Sequence, residues 1–136
     1  MVLIRERDII KRIPVFVSKG RNKGKQTGWI YFERNKEPYY YIVKSFRSSQ
    51  LLQNPKHIGK LPISTTILED LKKYGCKKVI FMITGFDDAG SFYIVVPLSD
   101  YDNAPKEEWD DPQVYVWLRD YPRIYPEQGS LGKFVM

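Results

Sequence analysis

Gly28-Trp29-Ile30-Tyr31-Phe32-Glu33-Arg34, then Asn35-Lys36-Glu37-Pro38, then Tyr39-Tyr40-Tyr41-Ile42-Val43-Lys44 reads as strand, turn, strand. Aromatic and β-branched residues crowd both outer runs, the composition that fits a pleated and partly buried surface. The four residues between them hold the Asn and Pro that favour a turn. The pair is expected to form an antiparallel hairpin. Alternation along a strand then puts Tyr39 and Tyr41 on one face and Tyr40 on the other.

Upstream of the hairpin, Arg5 to Ile13 has the spacing of a short helix, with Ile9, Ile10 and Ile13 on one side and Pro14 as its stop. Val15 to Ser18 reads as a strand. Downstream, Ser45 to Leu61 is irregular, with a helical turn expected near Ser49 to Gln53. Pro62 and Ser64 introduce the main helix, Thr65 to Tyr74. Thr66 and Glu69 have capping-box spacing, and Ile67, Leu68, Leu71 and Tyr74 make an apolar stripe. Lys72 and Lys73 suit the last turn, with Gly75 as the stop.

Lys78 to Thr84 and Ser91 to Leu98 read as a second pair of strands around the loop Gly85 to Gly90, with Pro97 marking a strand end or edge. Ser99 to Asp111 is acidic and turn-rich. Val114 to Leu118 is a last strand, and 119–136 is an extended or loosely held arm. The expected class is α+β: one domain over 1–136, with a small mixed and largely antiparallel sheet, one main helix and a short N-terminal helix. The length fits one domain.

Composition excludes several classes of function. Hydrophobic residues are 43% of the 136 and aromatic residues 15%, enough for a packed core. No apolar run approaches the roughly 20 residues needed to span a bilayer. Met1 to Arg7 lacks the pattern of a signal peptide, so cytoplasm is the expected location. With one Cys and one His, the chain has no internal disulfide framework and too few ligands for a structural zinc site. Cys76 suits a small buried residue beside a strand, and His57 an exposed loop. The two could in principle form a catalytic pair of nucleophile and base.

Charge is unevenly placed. Met1 to Lys60 carries 14 Lys and Arg against 4 Asp and Glu, and Leu61 to Met136 carries 8 against 12. The first part is near +10 and the second near −4. Such asymmetry points to nucleic acid or another acidic surface, because cations gain affinity for phosphate by releasing its counterions. A solubilising surface has the same composition.

The densest basic segment holds Lys19, Arg21, Lys23 and Lys25, interleaved with Gly20, Gly24 and Gly28. Glycine lets backbone approach a ligand closely, but the spacing is not that of a P-loop. Aromatic residues follow: Trp29, Tyr31, Phe32, Tyr39, Tyr40 and Tyr41, with Lys44 and Arg47 just beyond. An open aromatic face beside cations can stack bases, while packing and hairpin pairing use the same residues. Asp87-Asp88 and the acids of Asp100 to Asp111 are oxygen donors of the kind Mg²⁺ takes. Their settings, a Gly-bounded turn and an acidic loop, explain them without a metal.

The stretch from Gly28 to Arg47 resembles the core hairpin of the PD-(D/E)xK nucleases, archaeal Holliday junction resolvases in particular. In that family Pro-Asp opens one strand and Glu-x-Lys ends the next, often followed by Ser and Arg. Lys44-Ser45-Phe46-Arg47 echoes that ending, and Tyr93 to Leu98 is similar to the resolvase strand after the second helix. Gly28-Trp29 stands in place of Pro-Asp and Ile42 in place of the metal-binding Glu, while Lys44 matches. Glu6 is the candidate for the family's helix-borne acid. With its acids replaced, the resemblance implies an inactive DNA-binding relative.

The sequence therefore points to a non-catalytic binder of DNA or RNA without a cofactor or metal. Lys19, Arg21, Lys23, Lys25, Trp29, Lys44, Arg47, Lys56 and Lys60 are its candidate contacts. The alternatives are a metal-dependent nuclease with a degenerate site, and a protein-interaction module that forms a homodimer through its basic and acidic faces.

Overall fold

The computed structural model describes residues 6–46, 59–86, 90–108 and 111–125. A turn of 3₁₀ helix at Glu6–Asp8 leads into β1 (Ile9–Phe16), β2 (Gln26–Glu33) and β3 (Tyr39–Ser45). After 47–58 come β4 (Lys60–Ser64), α1 (Thr65–Lys73), β5 (Lys78–Thr84) and β6 (Phe92–Pro97). β7 (Lys106–Glu107) and β8 (Gln113–Trp117) follow. The helical turn expected near Ser49 to Gln53 and the final residues of the arm, 126–136, lie outside the described residues.

A five-stranded sheet has the order β1-β2-β3-β5-β6, antiparallel except where β5 runs parallel to β3. A three-stranded sheet has the order β4-β8-β7. The mixed α+β class and both expected hairpins, β2–β3 and β5–β6, are present.

The expected helix over Arg5 to Ile13 is not present over 9–13, which belongs to β1. Seven registered pairs join β1 to β2, from Ile9↔Glu33 to Phe16↔Gln26. Ile10 is 63% exposed, so the three isoleucines do not form one buried side. Long-range pairing has overridden a weak local pattern, and β-branched Ile and Val serve a strand better.

β4 replaces the irregular lead-in expected before the helix. Gly59 O accepts from Leu118 N at 2.8 Å, and Thr65 N donates to Pro112 O at 2.9 Å. Odd-numbered residues therefore make the ladder bonds to β8, and the missing N–H of Pro62 falls on the open edge.

α1 buries Ile67, Leu68 and Leu71, with Lys72 and Lys73 in its last turn. Gly75 has φ 81°, and Gly75 N and Cys76 N donate to Lys72 O and Leu71 O at 3.1 and 3.0 Å. That is a Schellman stop. Two expectations change here. The N-cap is Ser64, not Thr66, and it makes no side-chain cap bond. Tyr74 is exposed rather than buried, its ring meeting Phe32 edge-on at 6.4 Å.

One face of the five-stranded sheet packs on α1 and the three-stranded sheet. Val79, Phe81, Ile83, Phe92, Ile94 and Val96 meet Leu61, Ile63, Leu71, Val114 and Val116 there. Burial of each such side chain contributes about 1.5–3 kcal/mol. The opposite face carries a second cluster: Tyr31, Tyr39, Tyr41, Tyr93, Ile80 and Met82. Of the expected arm, Ile124 is pinned to Tyr93 by two backbone bonds of 2.7 and 2.8 Å. No helix among the described residues is long and apolar enough to cross a membrane.

Candidate functional site

The basic segment is a hairpin loop between β1 and β2 with its own hydrogen bonds. Val17 N donates to Lys25 O at 2.9 Å, Gly24 N to Val17 O at 2.8 Å and Lys25 N to Asn22 O at 3.0 Å. Gly20 and Gly24 take φ of 80° and 90°, which only glycine adopts at no steric cost. Lys19, Arg21, Lys23 and Lys25 are all exposed on it. Like charges are thus held together by backbone geometry.

This loop forms one wall of a cleft of about 490 Å³. Lys19, Gly20, Arg21 and Asn22 line one side, Thr27, Tyr40 and Ile42 another, and Pro62, Ser64, Ile67, Asp111 and Gln113 the third. The volume is in the range of small-molecule sites. Tyr40 is buried, and its hydroxyl pairs with Thr27 Oγ1 at 2.5 Å. Burial pushes its pKa up to about 12, against a smaller lowering by the Thr27 bond.

A chain of hydroxyls ties the cleft together. Ser64 Oγ donates to Asp111 Oδ1 at 2.7 Å. Because that uses its one proton, Thr66 Oγ1 must donate to Ser64 Oγ at 2.7 Å. Ser18 Oγ in turn donates to Thr66 Oγ1 at 3.1 Å. The relay links the start of the basic loop, the first turn of α1 and a carboxylate that is only 8% exposed.

The sequence candidates do not all converge on this cleft. Lys19 and Arg21 line it, and Lys23 and Lys25 stand on the same loop. Lys44 is on the same face of β3 as Tyr40 and Ile42. It is half-buried, 5.7 Å from the Phe46 ring centre, and burial lowers its pKa from the ordinary lysine value. Trp29 pairs with Tyr41 and so faces the opposite side of the sheet, with the Arg12 guanidinium 4.9 Å from its ring centre. Trp29 and Lys44 therefore do not meet. Lys60 is ion-paired with Glu107 and sits 4.2 Å from the Tyr115 ring centre, on the three-stranded sheet. Arg47, Lys56, His57, Asp87 and Asp88 lie outside the described residues.

The tyrosine-rich hairpin does not offer an open aromatic face. Tyr31, Tyr39, Tyr40 and Tyr41 are all buried, Tyr40 in the main core and the other three against one another and Tyr93. The aromatic residues that alternation places outward are elsewhere. Gln113, Tyr115 and Trp117 share one face of β8, opposite to buried Val114 and Val116. Tyr115 and Trp117 meet edge-on at 5.6 Å, and the Arg119 guanidinium lies 4.6 Å from the Trp117 ring centre.

Several acids of the expected solvated loop have protein partners. Asp102 pairs with Lys72 at 2.9 Å, Asp100 Oδ2 accepts from Tyr121 Oη at 2.7 Å, and Asp111 accepts from Ser64. Among the described residues no group of three or more His, Cys, Asp or Glu could hold a metal ion. Cys76 is buried, which pushes its thiol up to about 11 and disfavours the thiolate a nucleophile needs.

Gln113, Ser64, Tyr115 and Trp117 were not among the sequence candidates, and Asp111 was named only as one acid of the loop Asp100 to Asp111. The acidic run concealed Asp111, and its partner Ser64 is 47 residues away. No known family model, no characterised relative and no solved structure matches the chain.

Proposed function

We propose that this protein binds nucleic acid without cleaving it, using the β1–β2 loop and the cleft it walls. The observation that carries the reading is the presentation of Lys19, Arg21, Lys23 and Lys25 on one hydrogen-bonded loop. Preorganised cations lose little conformational freedom on meeting a phosphate backbone, and they release its counterions. Lys44 adds a cation on the cleft face of β3, Tyr115 and Trp117 add ring surfaces on β8, and Arg119, just after β8, adds a guanidinium.

In support of the non-catalytic half stand the apolar Ile42 in the cleft wall and the close fit at Gly28. An added Cβ at Gly28 would collide with the Tyr41 carbonyl oxygen and lie 3.2 Å from Ile42 Cβ. Neither position supplies a carboxylate for Mg²⁺.

The test is a gel shift with single-stranded, duplex and branched DNA and with RNA, at several salt concentrations, with and without Mg²⁺ or Mn²⁺. Salt-sensitive binding without strand cleavage is expected. Absence of binding at low salt would sink the reading. Metal-dependent cleavage that survives purification and disappears with Lys44→Ala would replace it with the nuclease.

A further inference from the structure

We infer that the cleft is a pocket for one unpaired nucleotide, with guanine the preferred base; this rests on the nucleic-acid reading above. Charges of both signs line the one cavity. Lys19 and Arg21 on the loop side suit an anion, yet Asp111, only 8% exposed, faces the same space and would repel one. A bare phosphate satisfies the first pair and not the second. An occupant with negative charge at one end and hydrogen-bond donors at the other satisfies both.

A nucleotide has that polarity. Its phosphate reaches Lys19 and Arg21, and its base enters between the apolar Tyr40 and Ile42 side and the polar Asp111 and Gln113 side. Asp111 is an acceptor when ionised, and its Oδ1 is already oriented by the Ser64 hydroxyl. Guanine presents its N1–H and N2–H₂ donors side by side, matching the two oxygens of a carboxylate. Cytosine and adenine each present one amino group. Uracil offers one N–H between two carbonyls, which the carboxylate repels. Gln113, with both a donor and an acceptor, can serve the neighbouring carbonyl. Within a duplex those donors are consumed by pairing, so the base must come from a single strand, a loop or an extruded position.

The experiment measures binding of GMP, UMP and inorganic phosphate to the full chain by calorimetry, beside a guanine-containing single strand and the same strand with abasic sites. GMP should bind at least about tenfold tighter than UMP and phosphate, as expected for one good two-point base contact. Asp111→Asn keeps an oxygen for Ser64 and removes the carboxylate, and it should erase the GMP preference. Gln113→Ala should weaken GMP binding without that carboxylate change, and far-UV circular dichroism checks both folds. Equal affinity for GMP, UMP and phosphate in the wild type would overturn the pocket, as would an unchanged preference in a folded Asp111→Asn. If both strands bind equally through the basic loop, the pocket fails and the broader reading stands. If neither strand binds, both fail.

Discussion

Ser64 Oγ and Asp111 Oδ1 lie 2.7 Å apart in a buried contact between the end of β4 and the approach to β8. Ser64 is also the N-cap of α1, but its side chain makes no cap bond. Its hydroxyl is committed to the carboxylate instead. Asp111 lines the cleft, and through Thr66 the same chain of hydroxyls reaches Ser18 at the base of the basic loop.

Ser64→Ala should therefore destabilise the fold by about 1–3 kcal/mol, the cost of leaving a buried acceptor without its donor. Urea denaturation of Ser64→Ala, Asp111→Asn and the double variant checks this. The Ser64 effect should shrink in the Asp111→Asn background, where no charge is left to satisfy. Strict additivity of the two substitutions would show that the contact carries no coupling.

Gly28 sits where β2 crosses the Tyr41 carbonyl. Gly28→Ala forces a Cβ into that oxygen and against Ile42, so the strands must separate. A loss of about 1–3 kcal/mol is expected, as for other overpacked sites. Thermal unfolding of the variant measures it. A change within about 0.5 kcal/mol, typical of an unconstrained surface position, would mean that the hairpin is not held this closely.

The buried tyrosines give the fold an alkaline limit. Burial raises Tyr40 and Tyr93 to about 12 from the usual value near 10, and raises Tyr31, Tyr39, Tyr41 and Tyr101 as well. For an acid whose folded pKa is raised, the native state holds the proton that the unfolded chain releases. The stabilisation is fully present below about pH 10 and is lost as pH rises through 12. Tyrosinate absorbance from these residues should appear together with unfolding. Their titration near pH 10 with native circular dichroism intact would contradict the burial.

Lys44 has the opposite dependence. Its folded pKa is lowered by burial, so the charged form carries a cost below that pKa, and the cost is relieved as pH rises toward the unfolded value. Lys44→Met should be neutral or stabilising at pH 7 while weakening nucleic-acid binding. Loss of stability without loss of binding would assign Lys44 a purely structural part.

Much of the fold was legible because it is local. The β2–β3 hairpin, α1 with its Gly75 stop, and the β5–β6 pair all follow from propensity, turn residues and helix-end signals close in sequence. β1 was not legible: Ile9, Ile10 and Ile13 fit a helix locally, and only β2 makes them a strand. β4 was concealed by Pro62, which reads as a breaker unless the strand is known to lie at an edge. The basic loop was visible in composition, but its partner across the cleft was not. Asp111 looked like one more acid in a charged run until folding set it beside Ser64, and the tyrosines looked like a stacking surface until packing against one another and the core buried them.

In the proposed binding mode Lys19, Arg21, Lys23 and Lys25 together contact nucleic-acid phosphates. The salt dependence of affinity for a single strand, in the wild type and in the variant with all four changed to Ala, tests it most directly. Each neutralised phosphate adds about −0.7 to the slope of log K against log salt, so four contacts should contribute about −3. The variant should lose most of that slope and bind weakly, while its urea midpoint stays close to that of the wild type because all four residues are exposed. An unchanged slope and affinity in the folded variant, or no binding by the wild type at low salt, would contradict the account.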